Sequence, residues 1–365
     1  MINFDFLPSR QIALYLIKMF LTRSAAVLVL LVMILMALDL LGESGKILKI
    51  HGNGEAELWR YVSLRVPLLI QKFLPFAVLL GALITFTGLS QHSEVIAMKA
   101  SGLSAHQILA PLILASFLIA GLAFVFNERV AVRSARTVNA WADNDYEPMR
   151  DSSDLLSNVW IKADEDFVRA RLVSGRGAGL TLRNVTLFQR SGPTLARVID
   201  AERGVQDGNH WRLENVKSYD ADMNLVRSQR EMVALAGVTP DRFTLAKVQP
   251  DEHAFTELRG SIAELEAVGR PTDEARSGLW HKLSGPLSVV LMPLLAALAA
   301  FGLARSGKVL LRAGAGMGLG FAYFVIDNLS LALGNVGAYP AWLAAFAPFF
   351  LFLLIGESLL IRSEE

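Results

Sequence analysis

Two blocks of long hydrophobic segments, separated by a polar stretch, constrain this sequence more than any other feature. The first block lies in residues 1–126 and the second in residues 276–365. Both contain uncharged runs long enough to cross the roughly 30 Å apolar core of a bilayer, which takes about 20 helical residues. Residues 127–275 are instead polar and rich in turn-forming residues. This layout predicts an α-helical polytopic membrane protein with six transmembrane helices, arranged 3 + 3, around one inserted domain.

The hydrophobic runs and their charged flanks give approximate limits for the predicted spans. The last run, residues 313–356, is too long for one crossing and has a natural break at residues 334–340, which yields the fifth and sixth spans. Alternating glycines at 314–320 are interpreted as sites where membrane helices approach closely. The first four spans are predicted at residues 12–41, 62–89, 108–126 and 283–304.

The overall composition agrees with a membrane protein that carries a polar block. Hydrophobic residues make up 53% of the chain, charged residues make up 19%, and the mean hydropathy is +0.41. A formal net charge of +1 gives no reason to expect nucleic-acid binding. The sequence contains no cysteine, which excludes disulfides, thiolate nucleophiles and cysteine-bound metals.

The positions of lysine and arginine predict the side that each loop faces, because cytoplasmic loops are enriched in both. The loop after the fourth span carries Arg305, Lys308 and Arg312, whereas the loop after the fifth has no basic residue. This difference predicts that both termini and the loop between the second and third spans are cytoplasmic. The inserted domain is then extracytoplasmic. Basic residues in the first loop, among them Lys46 and Lys49, count against this orientation.

The inserted domain has the pattern of β structure. Short runs rich in β-branched and aromatic residues recur at regular spacing and are separated by turn-forming residues. This spacing predicts an all-β sandwich or jelly-roll-like domain, followed by a helical connector. Strands are predicted at residues 159–163, 166–173, 180–189, 194–202, 210–219 and 225–235.

One apparent nucleotide motif does not fit its surroundings. Residues Gly302 to Lys308 have the spacing of a phosphate-binding loop, but Val309 replaces the serine or threonine that would bind magnesium. The segment also joins two spans rather than a strand and a helix. The six histidines lack metal-ligand spacing, and no catalytic set converges. We therefore predict no enzyme activity, cofactor or metal site on this chain.

The predicted cytoplasmic loop at residues 90–102 has the composition of a short capped helix. Ser90 can cap its N-terminus and Gly102 can end it. Glu94 and Lys99 carry the charges that the two ends of a helix dipole favour. Such a helix would either receive force from a separate motor subunit or lie on the lipid surface. The residues alone favour neither alternative.

Four motifs make the sequence similar to a known family. The run Gln-x-Ser-Glu-x-x-x-Met-x-Ala-Ser-Gly at residues 91–102 resembles the cytoplasmic coupling helix of the LptF/LptG lipopolysaccharide-export permeases. With the 3 + 3 layout, the resemblance covers essentially the whole chain. The other three motifs are Leu-Pro-x-Ala-x-Leu-Leu-Gly-Ala-Leu at 74–83, Trp-x-Lys-x-x-x-Pro-Leu-Ser at 280–288, and Gly-x-Gly-x-Gly-Phe-x-Tyr-x-x-x-Asp at 316–327.

The resemblance implies a permease subunit of an ABC exporter in the inner membrane of a Gram-negative bacterium. Such a subunit extracts lipopolysaccharide from the outer leaflet and passes it through periplasmic β-jellyroll domains and a protein bridge toward the outer membrane. The implied partners are an LptF-like permease, an LptB-like ATPase that binds ATP and magnesium, and an LptC-like protein. The residues implied to couple the chain to the ATPase are Gln91, Ser93, Glu94, Val95, Met98, Lys99 and Gly102.

Recognition of lipopolysaccharide would require cations near the outer leaflet, because lipid A carries anionic phosphates there. Arg65 and Lys72 are seven residues apart and so share one face of the second span. Arginines at 129, 133 and 136 share a face after the third span by the same reasoning. Each could instead be an interfacial residue that extends its charge to water. The predicted contact set is Lys46, Lys49, Arg65, Lys72, Arg129, Arg133 and Arg136.

Two acidic residues, Asp39 and Asp327, are predicted within the membrane. Asp327 is the only charge in residues 313–356, and charges in that setting are functional candidates, with helix capping or ion pairing as the alternative. Asp39 and the Tyr323/Asp327 pattern are more similar to the LptG branch of the family than to the LptF branch.

Other functions remain open on the sequence alone. Within the same class, the chain could be an LptF-type partner or a permease for another envelope lipid. From a different class, it could be a membrane scaffold or receptor with a periplasmic sensing domain, which would require a cytoplasmic output module.

Overall fold

The computed structural model describes residues 8–147, 155–163, 165–175, 179–192, 194–246, 248–267, 269–298 and 309–364. Within them, the helices are α1 (Arg10–Leu48), α2 (Glu55–Gln91), α3 (Glu94–Ala100), α4 (Ala105–Phe126), α5 (Val132–Asp143), α6 (Pro240–Thr244), α7 (Phe255–Ala267), α8 (Asp273–Ala297), α9 (Val309–Asn335) and α10 (Ala341–Glu364). The strands are β1 (Leu155–Ala163), β2 (Asp166–Ser174), β3 (Thr181–Ser191), β4 (Thr194–Asp207), β5 (His210–Asp220) and β6 (Leu225–Ala234).

Six described helical segments are long and apolar enough to cross a bilayer, namely α1, α2, α4 with its continuation into α5, α8, α9 and α10. The predicted arrangement of six membrane helices around an inserted β domain is therefore confirmed. The break between the last two spans also lies where the sequence predicts it, since α9 ends at Asn335 and α10 begins at Ala341. The Tyr339 hydroxyl donates to the Ser330 carbonyl at 2.9 Å and closes this turn.

The chain divides into two compact units. The membrane unit contains Met1–Asp39, Val66–Ala131 and Pro271–Glu365. The second unit contains Leu40–Arg65 and Val132–Arg270, and it includes the sheet. The inserted domain therefore also takes in the end of α1 and the beginning of α2, which the sequence analysis groups with the first membrane block.

Tyr146 explains why the ends of α1 and α2 belong to the second unit. Its carbonyl accepts a hydrogen bond from Nδ2 of Asn53 at 2.9 Å. Its ring packs edge-on against Tyr61 and Trp141, with centroid distances of 6.2 and 5.3 Å. These partners lie far apart along the chain, so hydropathy alone gives residues 40–65 no reason to leave the membrane block.

The membrane unit has one continuous apolar core, to which every membrane-spanning helix and the short α3 contribute. Leu16 and Phe20 of α1 and Ile108 of α4 are fully buried in it. Prolines inside α2, α4, α8 and α10 are tolerated because neighbouring helices can satisfy the carbonyls that a proline leaves without a donor. Packing among helices, rather than helix propensity, accounts for this arrangement.

One of the glycines that the sequence analysis singles out permits close helix contact. A Cβ atom on Gly320 of α9 would overlap the Leu79 side chain of α2. The interpretation of the glycines at 314–320 as close-packing sites is confirmed at this position. Gly314 and Gly318 differ, because a Cβ atom on either would meet nothing within 4 Å.

A closer approach, which the sequence analysis did not identify, lies between Gly81 of α2 and Ser24 of α1. A Cβ atom on Gly81 would lie 2.6 Å from the Ser24 Cα atom. We expect Gly81→Ala to lower the free energy of unfolding by about 1–3 kcal/mol, because the obstructing atoms are backbone and cannot swing aside. Gly121→Ala is the matched control, since a Cβ atom there meets nothing within 4 Å. Thermal unfolding in detergent measures both variants, and equal stabilities would contradict the close approach.

The six strands form one antiparallel sheet in the order β1-β2-β3-β4-β5-β6. Each strand pairs with its neighbours in sequence, so the described strands make a meander without the crossover of a jelly roll. This topology is simpler than the jelly-roll-like arrangement that strand spacing predicts. The short turns between successive strands are the physical reason, because they favour hairpin pairing. Gly192 and Gly208 supply the positive φ angles, each +64°, that two of these turns require.

A row of left-handed asparagines crosses the sheet. Asn158, Asn184 and Asn215 have φ angles of 51°, 48° and 53° and lie in β1, β3 and β5. Backbone pairing skips this row between every pair of neighbouring strands. Asparagine is one of the few residues that adopts this conformation readily. We call the row, which includes the facing residues Arg171, Glu202 and Arg230 of the other three strands, the asparagine crease.

Inward-facing residues step by three rather than two across the asparagine crease. In β3 the buried sequence runs from Leu182 to Val185, and in β5 it runs from Leu213 to Val216. The extra residue keeps the apolar side chains of both halves of each strand in the same core. The crease also bends strands locally, as irregular positions in sheets generally do.

The interior of the sheet is filled by the chain that follows β6. Phe243 of α6 is fully buried and packs edge-on against Trp211, with a centroid distance of 5.2 Å. The Trp211 indole N–H donates to the Val238 carbonyl at 2.8 Å. The apolar interior of the β domain is thus occupied by its own side chains.

Candidate functional site

A short helix, α3, joins the second and third spans, as the sequence predicts. It begins after Ser93, which has a left-handed φ of 58°. It ends at Gly102, which has a φ of +92° and donates to the Lys99 carbonyl at 3.0 Å. Leu103 donates to the Met98 carbonyl at 3.1 Å, which completes a Schellman motif. The predicted role of Gly102 as the helix terminator is confirmed.

The N-terminal cap of α3 differs from the prediction. Ser90 lies in the last turn of α2, where its carbonyl accepts from the N–H of Ser93 at 3.2 Å. Ser93 occupies the cap position instead, without a side-chain hydrogen bond to the helix. The α2 helix ends at Gln91, slightly beyond the predicted limit. Residues 89–91 contain no glycine or proline that would stop it earlier. Glu94 is in the first turn of α3, where its charge favours the helix dipole.

The two faces of α3 have different environments. Val95 is buried, and Met98 is half-buried and packs against the same core, so both side chains seat the helix on the membrane unit. Both belong to the predicted coupling set, and Val95 offers little surface to a protein on the outside. Ile96 is 67% exposed. The other members of the outward surface are Gln91, His92, Ser93, Ala97, Lys99 and Ala100.

Glu94 lies at the border between the two faces of α3. Its side chain is half-buried, and its Oε1 accepts a hydrogen bond from the Tyr15 hydroxyl of α1 at 3.2 Å. The sequence analysis had no means of pairing these residues, which lie 79 positions apart.

The predicted lipopolysaccharide-contact residues differ in their freedom to bind an anion. Lys49 and Lys72 have exposed side chains, and Arg65 is half-buried. Lys46 is also exposed, but its Nζ atom lies 2.8 Å from Oε1 of Glu43. Such a surface ion pair is weak enough for an anionic ligand to replace it.

The three arginines after the third span do not form the single face that their spacing predicts. A π-helical turn at Asn127–Ala131 changes the phase of the helix between Arg129 and the other two. Arg129 and Arg133 are exposed. Arg136 instead donates through Nε and Nη2 to the Glu252 carbonyl at 3.0 and 2.7 Å. Arg136 therefore has structural contacts within the second unit, beside its predicted role in lipid contact.

Glu257 supplies a second partner to Arg136, through Oε2 at 2.8 Å from Nη2. Burial alone would raise the pKa of the Glu257 carboxyl, but the N–H of Ala254 and the guanidinium of Arg136 together hold that pKa below its ordinary value. A lowered pKa favours the folded state above the unfolded pKa, and the benefit is lost as pH falls through the folded value.

We expect Arg136→Ala to lower the free energy of unfolding by about 1.5–3 kcal/mol, the usual worth of hydrogen bonds to charged groups. Arg133→Ala on the same helix should have little effect, since that side chain is exposed. Thermal unfolding of the two variants in detergent would test this difference. The difference in stability between the two variants should become smaller in acid, because protonated Glu257 no longer forms an ion pair with Arg136. Equal loss in both variants would show that the contacts of Arg136 do not stabilise the protein.

The two intramembrane acids occupy different settings. Asp39 is half-buried on α1. Asp327 lies on α9, where it interacts electrostatically with Tyr323 one turn earlier and with His281 of α8. Tyr323 is 4% exposed and Asp327 is half-buried on the same helix.

A buried ion pair between α8 and the end of α4 was missed by the sequence analysis. The Nζ atom of Lys282 lies 3.3 Å from Oε1 of Glu128. Their side chains are only 6% and 16% exposed. The available signal was a lysine directly before the fourth predicted span, in the motif at residues 280–288 that carries the family resemblance. Intramembrane lysines usually have a partner, and that partner could have been sought among nearby acids.

Some predicted features lie outside the described residues. The apparent phosphate-binding loop falls within residues 299–308, as do Arg305 and Lys308, on which the predicted orientation partly depends. Within the part of the chain that the structure describes, no group of three histidine, aspartate or glutamate side chains is arranged to hold a metal ion.

Comparison with known proteins agrees with the arrangement of six spans, a short connecting helix and an inserted sheet. The chain is 28% identical over 313 residues to the lipopolysaccharide export system permease protein LptG of Escherichia coli K12, covering 83% of this chain and 85% of that protein. It is 24% identical over 326 residues to the protein of the same name in Haemophilus influenzae, covering 86% and 89%. A sequence model of the family described as "Lipopolysaccharide export system permease LptF/LptG" matches residues 14–362. The chain therefore belongs to the LptF/LptG permease family and is similar to its LptG members.

Proposed function

We propose that this chain is the LptG-type permease subunit of an ABC exporter that moves lipopolysaccharide from the inner membrane toward the outer membrane. The observation that carries the proposal is α3, which is seated on the membrane core by Val95 and presents an exposed face outward between two spans. A transport subunit needs such a rigid, exposed element to receive work from a motor on another chain. The membership of the chain in the LptF/LptG permease family supports this role for α3.

The proposed orientation places α3 in the cytoplasm and the β domain in the periplasm of a Gram-negative cell. In that orientation, Lys46 and Lys49 lie at the periplasmic end of α1, and Lys72 lies in the outer half of α2. The exposed cations of this region would meet lipid A phosphates when lipopolysaccharide leaves the outer leaflet. Arg129 and Arg133 belong to the proposed contact set with exposed side chains, whereas Arg136 would have to exchange its contacts with Glu252 and Glu257 to bind a lipid phosphate.

The proposed assembly follows from the resemblance to permeases of this family. An LptF-like permease would pair with this chain, and an LptB-like ATPase would bind the outward surface of α3. ATP and magnesium would bind to that ATPase, which leaves this chain without a cofactor of its own. An LptC-like protein would receive lipopolysaccharide on the periplasmic side.

The proposal is tested by purifying the tagged full-length chain in mild detergent from its native membrane and identifying what comes with it. Recovery of a second six-span permease, a soluble ATPase and lipopolysaccharide is the expected result. Reconstitution of the recovered complex should then give lipopolysaccharide release that depends on ATP. Recovery of the chain with other lipids and without an ATPase would refute the proposed function.

A further inference from the structure

The helix that would receive the ATPase is bonded to the first membrane span. The Tyr15 hydroxyl of α1 donates to Oε1 of Glu94 at 3.2 Å. A hydrogen bond to an ionised carboxylate is stronger than one between neutral groups. Glu94 is also the first residue of α3, so the bond attaches the N-terminal end of that helix to α1.

Apolar residues that adjoin Tyr15 and Glu94 in sequence lie in one buried core. Leu16 and Phe20 of α1 have no exposed surface and lie in one core with Val95 of α3. Leu16 follows Tyr15 directly, and Val95 follows Glu94 directly. The polar bond joins an exposed tyrosine to a half-buried glutamate, and the residue after each of them lies in the apolar core.

The same part of α1 is anchored to α2. Nη1 of Arg23 donates to the Ile84 carbonyl of α2 at 2.7 Å. The guanidinium lies against Gly88, where a Cβ atom would be 2.9 Å from Nη1. An arginine at this depth needs such a partner, because an isolated charge in the membrane is costly. Helix α1 is thus held to both α2 and α3 in its first half.

The second half of α1 has a different environment. Met33, Leu38 and Leu41 are 58%, 62% and 77% exposed. Helix α1 continues to Leu48, but its contacts with α2 and α3 described above lie in its first half.

We propose that Tyr15 is a positioning residue that holds the ATPase-coupling helix on α1 through Glu94, so that movement of α3 is passed to the first membrane span. The inference rests on the proposed function for the identity of the motor. The bond itself, and its effect on the position of α3, do not depend on that function.

Spin labels can measure this positioning because the chain contains no native cysteine. Labels at Ala100→Cys on α3 and Leu30→Cys on α1 report the distance between the two helices by pulsed electron paramagnetic resonance in nanodiscs, within the purified complex. Tyr15→Phe removes only the hydroxyl. Thr22→Val is the matched control on α1, since the Thr22 hydroxyl donates to its own helix at the Lys18 carbonyl, at 2.8 Å.

Tyr15→Phe should broaden the distance distribution and reduce lipopolysaccharide released per ATP several-fold, with the amount of bound ATPase unchanged. The ratio of release to hydrolysis distinguishes lost positioning from lower stability, which would reduce both together. If Tyr15→Phe matches Thr22→Val in the distance distribution, Tyr15 has no positioning role. A wild-type complex that hydrolyses ATP without releasing lipopolysaccharide would instead refute the proposed function, while the distance measurement would still decide the role of Tyr15.

Discussion

Replacing Glu94 by lysine is expected to separate the chain from its ATPase while leaving membrane insertion intact. The substitution reverses the charge in the first turn of α3, where the helix dipole favours an acid, and removes the acceptor for Tyr15. If the carboxylate is paired with a cation of the ATPase, loss of that pair should cost about 2–5 kcal/mol of binding free energy. Since each 1.4 kcal/mol is a factor of about ten, binding should weaken by at least an order of magnitude.

Co-purification of the ATPase and ATP-dependent lipopolysaccharide release are the two measurements for Glu94→Lys. Glu274→Lys is the matched control, because Glu274 is an exposed acid in the first turn of another helix, α8. Glu94→Gln should have a smaller effect, since its amide oxygen can still accept from Tyr15. Retention of the ATPase and normal release by Glu94→Lys would exclude Glu94 from the coupling contact.

Removing the lysine of the buried ion pair should destabilise the membrane unit more than any surface substitution. Lys282→Ala leaves the carboxylate of Glu128 in a site that is largely inaccessible to water. Breaking a buried pair by removal of one partner typically costs about 3–5 kcal/mol. Lys72→Ala is the control, because that lysine lies on a membrane helix but is exposed.

A double substitution separates lost charge pairing from a general packing defect. Lys282→Met with Glu128→Gln removes both charges and keeps the approximate volumes, so it should recover much of the stability that Lys282→Ala loses. Thermal unfolding of detergent-purified protein reports all three variants. If the double variant is as unstable as Lys282→Ala, the ion pair is not the source of the effect.

The elements of this fold could be predicted well because their signals are local. Uncharged runs marked the spans, and the break before Ala341 followed from glycine, tyrosine and proline between two such runs. Turn-forming residues such as Gly192 and Gly208 separated the strands. Each signal lies within one element or its flanks, so a single sequence contains it in full.

The partners of individual charges could not be predicted because they lie far away in the chain. Lys282 is 154 positions from Glu128, and Arg136 is 116 positions from Glu252. Spacing alone placed Arg136 on one face with Arg129, and the π-helical turn between them removed that relation. Periodicity assumes a regular helix, whereas this helix contains an extra residue at one turn.

The faces of α3 illustrate a related difficulty. The apolar character of Val95 and Met98 was evident from the sequence, but a docking surface and a buried face can both be apolar. Only the tertiary structure, which places Val95 in one buried core with Leu16 and Phe20, decides that this face is internal. The sequence therefore predicted the helix itself, while the environment of its individual residues required the tertiary structure.

The asparagine crease restricts how the β domain can change during evolution. Deleting Asn184 alone would restore regular alternation in β3 but offset its register against β2 and β4 by one residue. A one-residue offset turns the side chains of a strand to the opposite face of the sheet. We therefore expect insertions and deletions along this row to be tolerated only when neighbouring strands change together, so that strand lengths within the domain vary as a group.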